Sequence, residues 1–254
     1  MHKSLSVPAL MSRLSSWLFL VSIGLHVHRD QTGVSYPVKV LALSSSPRKD
    51  GNSRMLAESV LAGAAQAGHD VEIIDLSDVV SAPLRDCRVC RNAAGRCSIG
   101  DDYEDLLVGK VLPADALVLA TPLYWYGISG QLKIFIDRIF CYEAAGYPEH
   151  EHVKRRLVNK RLAAVVSSEE TYPGSLVGVT AHLQELARYL HHDFVGVVQG
   201  FGNSRGEVAR DPGDPLGKAF DLGARLFAAR ATDYCIDTPR SSTVWADASA
   251  GTPD

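Results

Sequence analysis

From Val38 onward, short unbroken apolar runs alternate with stretches in which apolar residues recur every three or four positions. Val38-Lys-Val-Leu-Ala-Leu43 predicts a buried strand, and Met55, Leu56, Val60, Leu61 and Ala64 share one face of a helix over Ser53 to Ala67. Val71 to Leu76 predicts a second strand. Tyr103 to Val111 reads as a helix, and Ala116 to Ala120, bounded by Pro113 and Pro122, as a third strand. Leu132, Phe135, Ile136 and Ile139 mark a further helix that runs out near Cys141. Tyr142 to Lys160, rich in Gly, Pro, His and charge, reads as a connection. Leu162 to Val166 predicts a fourth strand, Leu176 to Leu190 a helix, Phe194 to Val198 a fifth strand, and Leu216 to Tyr234 the last helix. Continuous apolar strands separated by helices predict a parallel sheet covered on both faces, so the fold class is α/β, a doubly wound five-stranded parallel sheet. Ligands of such sheets bind beyond the carboxyl ends of the strands, which directs attention to the loops after the first, third and fourth strands.

Composition narrows the classes. Of 254 residues, 46% are hydrophobic and 22% charged, which excludes disorder, collagen and coiled coil as the main architecture. Twenty-six basic against 29 acidic residues give a net charge of −3, without the basic excess of a phosphate-backbone binder, so no nucleic acid partner is expected. Five unevenly spaced cysteines, three of them at Cys87, Cys90 and Cys97, do not make a disulfide framework and point to a reducing, cytoplasmic setting. Leu14 to Leu25 has the outline of a secretory signal after Lys3 and Arg13. It is followed directly by His26, His28, Arg29 and Asp30, lacks a small-x-small cleavage site, and is too short to span a bilayer. The expected organisation is a flexible extension over 1–36 without stable membrane insertion, one domain over 37–237, and a flexible tail over 238–254.

The loop after the first strand, Ser44-Ser-Ser-Pro-Arg-Lys-Asp-Gly-Asn-Ser53, leads straight into a helix. Small hydroxyls, a glycine, Arg48 and a helix N-terminus suit a phosphate dianion. It is not a Walker loop, because no Lys-Ser or Lys-Thr pair closes it. A serine-rich turn with Asn52 or Ser53 as a simple helix cap would use the same residues. After the third strand stands Thr121-Pro-Leu-Tyr-Trp-Tyr-Gly127, running on through Ile128 and Ser129 to a helix containing Arg138. Three consecutive aromatics on a loop are costly surface unless a flat cofactor or an oligomer partner covers them.

Taken together, these two segments resemble a known family. Ser45 to Ser53 is similar to the FMN-phosphate loop of the NADPH-dependent FMN reductase and iron–sulfur flavoprotein group of the flavodoxin-like superfamily, and Thr121 to Arg138 to that group's aromatic loop and following helix. The resemblance covers roughly residues 38 to 200. It implies a flavodoxin-like fold and an FMN cofactor. Ser45, Ser46, Arg48, Asn52 and Ser53 would hold the phosphate, Pro122, Leu123, Tyr124, Trp125 and Tyr126 would line the isoalloxazine, and Ser167 and Ser168 would close the other side. The implied activity is FMN-dependent NAD(P)H oxidation, with electrons passing to a quinone, nitroaromatic, free flavin or similar small acceptor. The alternative is an electron-transfer flavoprotein, with or without an iron–sulfur cluster, serving a protein partner. The exposed aromatic loop predicts a homodimer or homotetramer.

The remaining motifs take plainer readings. Iron–sulfur members of the group carry one more cysteine, at the place occupied here by Leu84. Cys87, Cys90 and Cys97 therefore read as reduced thiols packing a loop, with no metal ligand assigned, since Cys141 and Cys235 lie far off in sequence. Glu149-His-Glu-His152, His191-His192-Asp193, and Lys154-Arg-Arg156 with Lys160 and Arg161 read as solvated polar residues. Gly200, Gly202 and Gly206 lack Rossmann spacing. With the chemistry left to the flavin, no catalytic acid or base is assigned.

Overall fold

The apolar run after Val38 forms strand β1 (Lys39–Ser44). It is followed by α1 (Asn52–Gln66), β2 (Asp70–Asp75), β3 (Ala116–Pro122), α2 (Gly130–Glu143), α3 (His150–Leu157), β4 (Arg161–Ser168), α4 (Val177–Tyr189), β5 (Asp193–Phe201) and α5 (Pro215–Ala224). This computed structural model describes His28–Arg29, Ser35–Tyr36 and residues 38–228 apart from residue 88. Except for a short antiparallel pairing of His28–Arg29 with Ser35–Tyr36, the 1–36 segment lies outside the described residues, as do the 238–254 tail and the end of the last expected helix.

The strands lie in the order β2-β1-β3-β4-β5, every neighbouring pair parallel, which is the flavodoxin-like arrangement. Alternation along each strand separates two cores. Val40, Ala42, Val118, Ala120, Ala163 and Val165 pack with residues of α1. Leu41, Leu43, Leu117, Leu119, Leu162 and Val166 face the other way, toward Leu132 and Phe135 of α2 and Leu183 of α4. α1 and α5 cross at glycines because nothing larger fits. A Cβ on Gly63 would lie 2.0 Å from the Phe220 carbonyl oxygen, and one on Gly223 would lie 1.9 Å from that of Val60.

Two expectations need correction, and one, the Tyr103 to Val111 helix, holds with a change of winding. The Tyr142 to Lys160 connection contains α3, whose apolar residues Val153 and Leu157 lie one turn apart and are both buried. Two apolar residues among charges are too weak a periodicity to recognise. The Tyr103 to Val111 helix opens as an α turn over Tyr103–Leu106 and widens into a π turn over Leu107–Val111. Lys160 and His192 are buried rather than solvated. Lys160 Nζ donates to the carbonyls of Leu112 and Ala114, which close the π turn. His192 Nε2 bonds the carbonyl of Leu157, where α3 ends. Burial lowers the Lys160 ammonium to a pKa of about 8 and the His192 imidazole to about 4. Arg161 is likewise engaged, pairing with Asp193 at 2.6 Å.

Candidate functional site

The end of β1 delivers Ser44, Ser45 and Ser46 in succession, all buried. Ser45 faces inward. Its hydroxyl donates to the Ala120 carbonyl at 2.8 Å and accepts from Ser129 Oγ at 2.8 Å, so it locks β1 to β3 and to the start of α2. Ser46 Oγ accepts from the Arg48 backbone N–H at 3.1 Å and shapes the turn. The loop closes on Gly51, where a Cβ would meet the Arg48 carbonyl oxygen at 3.0 Å. Gly51 also occupies the cap position of α1. Among the described residues no side chain caps this helix, and its first turn holds no acidic residue, so neither Asn52 nor Ser53 is the cap. The uncompensated N–H groups and the positive end of the helix dipole therefore face the loop. Beside them, the buried Ser44 Oγ finds no hydrogen-bond partner among the described residues. Ser53 lies buried in the first turn, and Arg48 reaches over the loop with one long contact, 3.5 Å, to the Asn203 carbonyl.

Asn52 is different. Its amide donates to the carbonyls of Gly202 at 2.9 Å and Ser204 at 3.0 Å, while its Oδ1 accepts from the Val208 N–H at 3.3 Å. The side chain is spent on holding the segment after β5 against α1, and only its backbone is left for an anion.

After β3 the chain makes a tight reversal. Tyr124 and Gly127 exchange both backbone hydrogen bonds, at 3.0 Å each, around Trp125 and Tyr126, whose φ angles are 49° and 60°. Two consecutive left-handed residues in a two-residue loop define a type I′ turn, a geometry usually filled by Asn-Gly. Here two aromatics occupy it, and Trp125 is 98% exposed. Such strain persists only where the surroundings impose it, and it marks sites where a side chain must be displayed. Behind the turn, Ser129 caps α2, and its N–H bonds Thr121 Oγ1 at 2.9 Å.

The loop after β4 is tied to both neighbours. The Ser167 carbonyl accepts from Leu123 N–H at 2.8 Å, and that of Ser168 from Gly202 N–H at 2.9 Å. Gln199, on β5, donates to the hydroxyls of Ser168 at 2.8 Å and Ser175 at 3.0 Å, bracing the loop from below. No local motif announces Gln199, because its partners come from another strand's loop. The carboxyl ends of β1, β3, β4 and β5 are thus laced into one edge carrying an anion-ready helix terminus and an aromatic turn. Tyr126 leans toward Tyr172, with ring centroids 6.3 Å apart.

Below this edge, Arg138 of α2 is buried in a two-pronged pair with Asp101, with Nη2 2.8 Å from Oδ1, and its guanidinium sits 4.2 Å from the centre of the Tyr103 ring. Burial would raise the Asp101 carboxyl, but the bonds from Arg138 and Ser81 bring it down to about 2. Cys87 and Cys141 are buried, Cys90 and Cys97 half-buried, and all four are unbridged.

Comparison with known proteins agrees with this architecture. The NADPH-dependent FMN reductase family matches residues 38–203. Over 217 residues the chain is 30% identical to an FMN-dependent NADH:quinone oxidoreductase of Bordetella parapertussis, covering 76% of this chain and 100% of that one. It is 38% identical over 101 residues to an iron–sulfur flavoprotein of Methanocaldococcus jannaschii, a match spanning 40% of this chain and 51% of the relative. The fold is shared with the Trp repressor binding protein of Bacillus subtilis at a TM-score of 0.55 and 23% identity, covering 76% and 99% of the two chains. With the family match running from β1 through the loop after β5, the chain belongs to the NADPH-dependent FMN reductase family.

Proposed function

We propose that the protein is an FMN-dependent NAD(P)H oxidoreductase that passes electrons from nicotinamide to a quinone or similar small acceptor. The observation that carries this reading is the α1 terminus, uncapped and free of first-turn carboxylates, with the orphaned Ser44 hydroxyl beside it and the aromatic turn on the same edge. A phosphate suits the first feature and a flat ring system the second.

On this reading Ser46, Arg48, Ser53 and the backbone N–H groups of the first turn hold the phosphate. Pro122, Leu123, Tyr124, Trp125 and Tyr126 border the isoalloxazine, and Ser167 and Ser168 close its other side. Ser45 and Asn52 act from behind, through the hydrogen bonds that fix the loop. Bound FMN supplies hydride acceptance and onward electron transfer. The chain's own work is to place the ring, exclude water from one face and leave the other open to nicotinamide and acceptor. No helix among the described residues is long and apolar enough to cross a membrane, and we place the protein in the cytoplasm as a homodimer. The test is the absorbance spectrum of the purified protein together with steady-state oxidation of NADH and NADPH. Flavin bands with acceptor-dependent turnover are expected. Negligible turnover with every quinone and nitroaromatic tried would abandon the enzyme reading.

A further inference from the structure

The loop after β4 carries two consecutive carboxylates on the edge that bears the aromatic turn. Glu169 and Glu170 are both exposed. Two bonds fix their backbone, because the Glu170 carbonyl accepts from Ser168 Oγ at 2.9 Å and from Gln199 Nε2 at 3.4 Å. The Glu170 side chain is thereby carried to the turn, where its Oε1 lies 3.5 Å from the Tyr126 hydroxyl, beside the rings of Tyr126 and Tyr172. Glu169 lines a cavity of about 730 Å³ that the loop shares with the segment after β5. We propose that Glu169 and Glu170 are specificity-determining residues, which admit uncharged or cationic flat rings to the aromatic turn and exclude anionic ones. The proposal rests on the turn bordering the isoalloxazine, and it names the acceptor class: a neutral quinone rather than a free flavin phosphate or a sulfonated ring.

The negative charge there is not compensated. Among the described residues no lysine or arginine pairs with either carboxylate. The cavity adds Glu207 and Asp211 against one guanidinium, that of Arg210, which already leans toward Glu207 at 3.7 Å. Both added carboxylates are held by backbone N–H groups, Glu207 by those of Asn203 and Ser204, Asp211 by those of Phe201 and Gly213. The bonds from Ser204 and Asn203 hold Glu207 below the usual carboxylate range, so it stays ionised at neutral pH.

The phosphate end of the same edge has the opposite sign. Lys49 pairs with Asp78 at 2.5 Å and Arg205 with Asp50 at 3.2 Å, which leaves the Arg48 guanidinium, bonded to a carbonyl alone, beside the positive end of the α1 dipole. The edge is thus polarised from α1 toward the loop after β4. A cofactor phosphate is drawn to one end, and a ring carrying its own negative charge is repelled at the other. Even at the dielectric of water, two carboxylates about 8 Å from a sulfonate lower its affinity roughly fivefold at low salt.

The test is equilibrium dialysis of the full chain as purified against two flat, redox-inert rings, 2-naphthol and 2-naphthalenesulfonate, at low and high salt. At low salt the parental protein should bind the uncharged ring at least about fivefold more tightly, and the gap should narrow as salt screens the carboxylates. In the double variant Glu169→Gln, Glu170→Gln, the sulfonate should gain about fivefold in affinity, while 2-naphthol affinity, FMN content and circular dichroism stay parental. Desolvation of the sulfonate is common to both proteins, so the difference between them isolates the two carboxylates. Turnover should follow, with kcat/KM for 1,4-naphthoquinone-2-sulfonate rising in the double variant relative to that for 1,4-naphthoquinone. Equal binding of the two rings by the parental protein at low salt, binding of neither, or a double variant with the parental discrimination would overturn the proposal. The flavin bands of the same samples judge the flavin reading separately, whichever ring binds.

Discussion

Trp125 and Tyr126 both hold left-handed backbone angles, a conformation costing each residue on the order of 1–2 kcal/mol. A turn chosen for stability would carry Asn and Gly there. The double replacement Trp125→Asn, Tyr126→Gly should therefore raise unfolding stability by about 1–2 kcal/mol while impairing hydride transfer. Trp125→Ala alone should release FMN only partially, because an aromatic contact is worth about 0.5–1.5 kcal/mol beyond area burial. Stopped-flow flavin reduction by NADH and NADPH, alongside FMN titration and denaturation, checks all three. Parental reduction rates and acceptor preference in every variant would make the turn mere packing. Arg48, in the loop, and Asn52, at the start of α1, should behave differently. Arg48→Ala removes an exposed cation with one weak contact, so FMN affinity should fall by roughly 1.5–3 kcal/mol with stability unchanged. Asn52→Ala breaks three bonds to the segment after β5, so it should cost stability as well, about 1–3 kcal/mol in urea melts. Equal stability in the two variants would refute the division.

At the scale of elements, α3, β4 and α4 meet through polar residues the sequence presents as solvated. His192 is 6% exposed, and since a carbonyl can only accept, its Nε2 carries the proton given to Leu157 while the buried Nδ1 is bare, with no partner among the described residues. Burial holds the folded pKa near 4, against about 6.5 unfolded. A depressed pKa contributes stability that is complete above the unfolded value and lost as pH falls through the folded one. Roughly 3 kcal/mol should therefore disappear between about pH 6.5 and pH 4. His192→Gln keeps a donor for Leu157 and cannot titrate, so its stability should vary less across that window. Identical acid limbs for the two proteins would dismiss the assignment. The same junction explains what could be read in advance. Strand runs and the apolar faces of α1 and α2 were legible because periodicity is local. So were the Ser44 to Ser53 and Thr121 to Ser129 loops, each announced by the strand before it and the helix after it. The inward turn of Ser45, the clamp made by Asn52, the brace from Gln199 and the burial of Lys160 and His192 were not. Each depends on a partner brought in by the fold from a distant segment, and hydrophobic pattern carries no information about such partners.

For the whole molecule, the question is what covers the aromatic edge. Tyr124, Trp125 and Tyr126 are joined there by Tyr172 and Val177, the latter 68% exposed, so the loop after β3 and the start of α4 form one apolar surface. Gly178 lets that helix approach closely, since a Cβ there would lie 3.3 Å from the Tyr126 carbonyl oxygen. A second copy related by a two-fold axis would bury the same surface twice, each aromatic edge covered by the partner's. Sedimentation equilibrium should then report twice the 27.5 kDa chain mass at micromolar concentration. Trp125→Glu is the sharper probe, because a side chain 98% exposed in the single chain has almost no packing to lose there. Its circular dichroism and denaturation midpoint at low concentration should match the parent. Its dimer dissociation constant should rise at least about tenfold, reflecting a carboxylate desolvated at the interface. A parental protein that sediments as a monomer, or a Trp125→Glu variant that dimerises as tightly as the parent, would place the subunit contact elsewhere and leave the aromatic edge to the cofactor and its substrates.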